Sequence, residues 1–385
     1  MMTLFTLPEE LQQLQTNLRR YVDKDMIPHE RESMDGAELR PEWRARFIEG
    51  MKQLGVYKLD VPVEYGGGGM GLLAKAVVWA ELGRTIALPA REDDTTGPNV
   101  RGILYMLEGE MKQRYLLPAL AGEKRACFAQ TEPDAGSDPA SMRTTAVRDG
   151  DHYVINGTKR FITGAGRADF MQLMAATDRA KGARGISCFL VDMDTPGVKL
   201  GVQYTTMMGD KPWEVILDNV RVPVSHRVGH EGEGFKLAQG WLGHGRVKHG
   251  ARALGIAQRS LEMAATYAHL RVTFGKPLAE RQGIQWKIAD MYMDLEVAKL
   301  LVWRAASMIE AGEEARVEAY HAKYHSDEMA FRACDVCMQI HGGIGLTTDL
   351  PIERMWRQQR SYRITEGASE VMRTVIARHV MKQYG

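Results

Sequence analysis

The stretch SYRITEGASEVMRTVIAR places Glu366 beside Gly367 at the foot of an apolar helical run. A carboxylate in that position has two uses. It can cap the helix, since the positive end of the helix dipole favours an anion, or it can serve as a base aimed into a pocket.

Four other stretches have residues suited to holding a polar ligand. FAQTEPDAGSD (128–138) runs from Phe128 and Gln130 into an irregular segment with Thr131, Gly136 and Ser137, whose free N–H groups and hydroxyls suit the edge of a polar heterocycle. The competing reading is a tight loop capped by its own Asp and Ser. KRFITGAG (159–166) closes a strand with Phe161, Ile162 and Thr163, an aromatic face and a hydroxyl, although Phe-Ile-Thr is also ordinary strand composition. RVTFGKPLAERQ sets Arg271 at a helix end. A guanidinium there suits a pyrophosphate, and it equally suits the helix dipole. QIHGGIG brings Gln339 and the glycines Gly342 and Gly343, which permit close backbone approach.

Two motifs are decoys. VPVEYGGGGMG contains a formal G-x-G-x-x-G at Gly66, Gly68 and Gly71. Pro62 weakens the strand before it, and no second strand with a suitably placed acid follows the helix. A glycine-rich loop admitting a close neighbour is expected instead. Cys334-Asp-Val-Cys337 sits in a helical run with no second Cys pair, so it reads as two buried helix cysteines.

The elements that position these residues follow from pattern. Up to residue 124 the chain reads as helical, with PEWRARFIEGMKQLG and LLAKAVVWAELGRT as helices. From 125 to 230 it reads as a β domain. Asp149-Gly150 and Asn156-Gly157 flank a short apolar run as hairpin signals, and ADFMQLMAAT, GISCFLVDM, GVKLGVQY and EVILDNVRV follow as strands. From 231 to 385 helices return, with Ile284, Ile288, Met291, Leu295, Ala298, Val302, Ala305 and Ile309 on one seam and Val247, Ala251, Leu254, Leu261, Ala265 and Ala268 on another.

A chain of 385 residues with 50 Lys+Arg against 49 Asp+Glu has a formal charge of +1, and its basic residues are scattered, which argues against a nucleic-acid partner. No run approaches the roughly 18 apolar residues of a membrane span. The N-terminal MMTLFTLPEELQQLQTNLRR lacks a secretory signal's apolar core and cleavage site, and four cysteines are too few for a disulfide framework. A cytoplasmic, soluble protein without a metal site is expected.

Taken in order, VPVEYGGGGMG, FAQTEPDAGSD, KRFITGAG, LDNVRVP, RVTFGKPL, QIHGGIG, PIERMWR and ITEGASEVMRTVIAR resemble the acyl-CoA dehydrogenase family over nearly the whole chain. The resemblance implies an α+β multidomain fold: an N-terminal all-α domain (1–124), a middle antiparallel β-barrel or sandwich domain (125–230) and a C-terminal four-helix bundle (231–385). It implies FAD, with Phe128, Gln130, Thr131, Gly136, Ser137, Phe161, Ile162 and Thr163 at the ring. Arg271, Thr273 and Phe274 would meet the pyrophosphate of a neighbouring subunit's FAD, and Gln282, Gln339, Gly342 and Gly343 would lie along the adenosine. Ala368 and Glu370 also match FAD-contacting positions, and Ser137, Arg246 and Gly367 match acyl-CoA-contacting ones.

The resemblance makes Glu366 the base that takes the α-proton of an acyl-CoA thioester while the β-hydrogen leaves as hydride to flavin N5, giving a 2-enoyl-CoA. A carboxylate desolvated by substrate is expected to have a raised pKa. Some relatives carry the base just before the Arg matching Arg246, where this chain has Gly245. The resemblance further implies an electron-transfer flavoprotein as acceptor and a homotetramer.

Departures fall on the substrate side. Phe161 stands for a common Trp, Thr365 for a Tyr, Gln130 for a small apolar residue, and Gly243 for an acid. The acyl chain is therefore not carried over. An acyl-CoA oxidase or other oxygen-using flavoenzyme on the same scaffold, and a non-catalytic acyl-CoA-binding protein, remain the alternatives.

Overall fold

The computed structural model describes residues 6–91, 93–100 and 102–385; the first five residues of the N-terminal helical reading lie outside them. Helices α1 (Glu9–Tyr21), α2 (Pro41–Gln53) and α3 (Leu72–Leu82) come first. Eight strands follow: β1 (Ala126–Ala129), β2 (Thr145–Asp149), β3 (His152–Ile162), β4 (Phe170–Ala176), β5 (Ile186–Asp192), β6 (Val198–Gln203), β7 (Trp213–Pro223) and β8 (Arg227–Val228). Helices α4 (Gly234–Leu270), α5 (Gln282–Glu310), α6 (Arg316–His341), α7 (Ile352–Tyr362) and α8 (Ser369–Tyr384) complete the chain. The fold is that read from the sequence: a helical N-terminal part, a β domain and a helical C-terminal part. No helix among the described residues is long and apolar enough to cross a membrane.

The chain gathers into two compact units, Met1–Ala90 with Gly243–Gly385, and Arg91–Leu242. In the first, one core is common to the early and late helices, with Leu18, Phe47, Val78, Leu254, Val302 and Met329 all buried. Both apolar seams read from the sequence point into it. Met291, Leu295, Ala298, Val302 and Ala305 are buried on α5, and Val247, Ala251 and Leu254 on α4. The glycine-rich loop does admit close neighbours. A Cβ on Gly67 would lie 2.1 Å from the Val61 carbonyl oxygen, and one on Gly71 would lie 2.0 Å from the Glu310 carboxyl carbon. Glu310 Oε2 accepts from the Leu73 N–H at 2.9 Å, so the protein's own carboxylate occupies the N-terminus of α3, where a phosphate would sit in a dinucleotide fold.

In the second unit the sheet order is β8-β5-β4-β2-β3-β7-β6, with β1 added alongside β4. Pairing is antiparallel except between β1 and β4 and at the single β2–β4 junction Thr145↔Ala176. All seven residues of β4 are buried, which accounts for a sequence that is apolar except at Gln172. Of the two hairpin signals, Asp149-Gly150 turns the chain: Asp149 pairs with His152, and Gly150 has φ +62°. Asn156-Gly157 instead forms a bulge inside β3, because that strand continues its pairing with β7 through Gly157↔Leu217.

Candidate active site

Glu366 lies in the turn between α7 and α8, at φ +55°, a left-handed conformation costly for a side chain this large. It does not cap α8. The N-cap is Ala368, without a side-chain cap bond, and the acid of the first turn is Glu370. The turn is held from α6. Lys323, buried, donates through Nζ to the carbonyl oxygens of Tyr362 at 2.9 Å and Gly367 at 3.1 Å, on either side of Glu366. Its charge is met by Asp327 at 3.0 Å, equally buried. Glu328 Oε1 accepts from Arg363 Nε at 2.8 Å and from the Ser369 hydroxyl at 2.6 Å. Burial opposes ionisation of Glu328, but these two donors hold its carboxyl below the usual range.

So anchored, the Glu366 carboxylate faces α4. Its Oε2 is shielded from water, and a Cβ on Gly245 would stand 2.3 Å from that oxygen. One turn further along α4, His249 Nε2 lies 3.4 Å from Oε1. Arg246, buried between them in sequence, places its guanidinium 4.3 Å from the centroid of Tyr320. Burial lowers its proton affinity, against the pull of Tyr320 and Glu366. Gly367, at φ +104°, and Arg246 thus lie in the same neighbourhood as Glu366.

A second group of candidates collects around a cavity of about 400 Å³ in the same unit. Arg271, Thr273, Gly342 and Gly343 line it, together with Tyr267 and His341, whose rings stack at 4.3 Å and an interplanar angle of 23°. His341 Nδ1 bonds the Cys337 carbonyl oxygen at 2.8 Å, and burial lowers its pKa. Gln282, Gln339, Ala368 and Glu370 do not line this cavity, and neither does Phe274, which is 98% exposed. Sequence reading missed Tyr267 and His341. An aromatic four residues before Arg271 and a His at a helix end were the available signals. Cys334 and Cys337 are buried in α6, as read, and burial pushes the Cys334 thiol up to about 12.

The third group is in the other unit. The 128–138 segment is tied to the end of β3 by the Arg160 N–H donating to the Thr131 carbonyl at 2.8 Å. Its anchor is a pair that sequence reading also missed. Glu132 meets Lys159 at 2.7 Å with both side chains buried, and accepts from the N–H groups of Arg143 and Thr144. Burial lowers the Lys159 pKa to about 8; Glu132 is also desolvated, yet Lys159 and the two N–H groups hold its carboxyl below the usual range. Lys159 also bonds the Gln130 carbonyl at 3.2 Å. Gln130 Oε1 is shut off from water and has no hydrogen-bond partner among the described residues. Phe128 packs on Trp241 at 5.2 Å, while Ile162 is buried. Phe161, at φ +58°, is 53% exposed. Thr131 and Thr163 are half-buried, and Gly136 and Ser137 are exposed.

Comparison with known proteins agrees with the three-part reading. The chain matches the models for the acyl-CoA dehydrogenase N-terminal domain over residues 8–123, the middle domain over 127–220 and the C-terminal domain over 232–381. It is 39% identical to the human mitochondrial short-chain specific acyl-CoA dehydrogenase, over 98% of this chain and 92% of that one. It is 36% identical to the caffeyl-CoA reductase-Etf complex subunit CarC of Acetobacterium woodii, over 95% and 96%. Butyryl-CoA dehydrogenase of Megasphaera elsdenii superposes with a TM-score of 0.85 at 30% identity, over 98% of this chain and 99% of that one. The chain belongs to the acyl-CoA dehydrogenase family of oxidoreductases.

Proposed function

We propose that the protein catalyses FAD-dependent α,β-dehydrogenation of an acyl-CoA thioester to a 2-enoyl-CoA, with Glu366 as the base. The observation that carries this reading is the strained turn at Glu366. A capping residue has no need of a left-handed backbone pinned on both sides by a buried lysine. A base that must be held at a fixed distance from a weakly acidic carbon does.

The residues present fit FAD. The buried, unpartnered Gln130 Oε1 and the exposed ring of Phe161 suit the edge and face of the flavin, alongside Phe128, Thr131, Gly136, Ser137, Ile162 and Thr163. The cavity lined by Arg271 and Thr273 suits a phosphate-bearing group from a neighbouring subunit's cofactor. Phe274, Gln282, Gln339, Gly342, Gly343, Ala368 and Glu370 are assigned to the same cofactor by family resemblance. When bound, FAD supplies the acceptor for the β-hydrogen, which leaves as hydride.

The chain's own groups do the rest. Glu366 takes the α-proton. A backbone N–H beside the base, in the turn that Lys323 holds through the Tyr362 and Gly367 carbonyls, donates to the thioester oxygen as negative charge develops there. Arg246 and Ser137 bind the acyl-CoA.

The exposed apolar residues of α5, among them Trp286, Met293, Val297 and Leu300, support burial in a homo-oligomer, and we assign a tetramer. An electron-transfer flavoprotein is the proposed acceptor, consistent with the similarity to a subunit of an Etf complex. Domain limits at 124/125 and 230/231 and a cytoplasmic location complete the reading.

A panel of short, branched, aromatic and long acyl-CoAs added anaerobically tests it. A yellow protein bleached by at least one of them is expected. A colourless protein that recovers no FAD contradicts the proposal.

A further inference from the structure

We propose that His249 is a positioning residue for Glu366, holding its carboxylate through a neutral Nε2–H and favouring its ionised form. The inference rests on the reading of Glu366 as the base.

The geometry begins with α4. Gly245 and His249 are four residues apart, so they share one helix face, and both address the same carboxylate. Gly245 makes room for Oε2, whereas His249 offers Nε2 to Oε1 at 3.4 Å. At 3.4 Å the contact falls short of a formed hydrogen bond, and catalytic contacts commonly tighten to one when substrate is bound. The imidazole is buried and cannot swing away, because its ring packs on Tyr362 with 4.3 Å between centroids.

The state of the ring follows from its other nitrogen. His249 Nδ1 is shut off from water and has no hydrogen-bond partner among the described residues. A proton there would be a buried N–H without an acceptor. The favoured form carries its single proton on Nε2, directed at Glu366. A neutral donor of this kind stabilises the carboxylate over the acid without adding a positive charge.

The other ionisable groups packed around the pair have partners of their own, and Arg246 also acts on Glu366 through its charge. Arg246 on α4 lies over Tyr320 of α6, and Lys323 and Asp327 of α6 are paired at 3.0 Å. The Tyr362 hydroxyl donates to the Ala90 carbonyl oxygen at 3.1 Å. His249 is the neutral donor placed against the carboxylate, beside the charge of Arg246.

The test uses the holoprotein and three variants, His249→Leu, His249→Gln and Glu366→Gln. His249→Leu should move the acidic limb of the kcat/KM pH profile up by about one unit. His249→Gln, which keeps a neutral N–H donor at the same reach, should leave the limb near its wild-type position. Histidine ¹⁵N shifts of the wild-type protein should show His249 as the neutral Nε2–H tautomer at pH 7; this readout survives if His249→Leu fails to fold. An unmoved limb in a folded His249→Leu protein, or a ring protonated on Nδ1, overturns the inference. Undiminished activity of Glu366→Gln would instead defeat the reading of Glu366 as base, while the tautomer remains separately measurable.

Discussion

Lys323 Nζ donates to the Gly367 carbonyl oxygen at 3.1 Å, and so ties α6 to the residue that follows the proposed base. The same ammonium holds the Tyr362 carbonyl and pairs with Asp327. Removing it leaves a buried carboxylate without its counter-charge. Lys323→Met should destabilise the protein by about 3 kcal/mol in urea unfolding, and adding Asp327→Leu should recover much of that loss. The double variant should still show a reduced kcat, because the turn around Glu366 is no longer fixed.

Gly245 leaves no space for a side chain. With Cβ only 2.3 Å from Glu366 Oε2, Gly245→Ala must displace the carboxylate. A fall in kcat of about 100-fold is expected, with the melting temperature changed little, since small misplacements of a reacting group are costly. Steady-state kinetics alongside thermal unfolding checks this.

The Glu132–Lys159 pair makes an acid-sensitive anchor. The Glu132 carboxyl is held below its unfolded value of about 4.5, so its stabilisation is complete above that pH and disappears as pH falls through the lower folded value. Glu132→Gln should lose about 3 kcal/mol at neutral pH by leaving Lys159 buried without its partner. The variant should also show a shallower loss of stability on acidification below pH 4.5. Urea titrations across that range measure both.

Arg271 lines the cavity with Thr273, Gly342 and Gly343. Arg271→Ala should weaken FAD binding to the apoprotein by about 10- to 100-fold, the worth of one charge-assisted hydrogen bond to a phosphate. Fluorescence titration with FAD gives the number directly.

The parts of this architecture that depend on local pattern were legible in the sequence. Strand-like runs bounded by turn residues located β4 to β7, and spacing of three and four located the apolar seams of α4 and α5. What stayed hidden depends on partners distant in sequence. Glu132 and Lys159 read as ordinary loop and strand residues until the fold buries them together, and Lys323 sits unremarked in α6 until the turn after α7 arrives. Asn156-Gly157 misled for a related reason: its dipeptide favours a turn, but the pairing of β3 with β7 on both sides converts it to a bulge. Glu366 was singled out by its neighbours, whereas His249 on another helix gave no local sign.

The most direct measurement is anaerobic reduction of the bound flavin by an acyl-CoA that bleaches the wild-type protein, repeated with Glu366→Gln. The account predicts that the variant still binds the thioester but reduces its flavin at least ~1,000-fold more slowly, in line with the loss of a positioned general base. Reduction at the wild-type rate would contradict it.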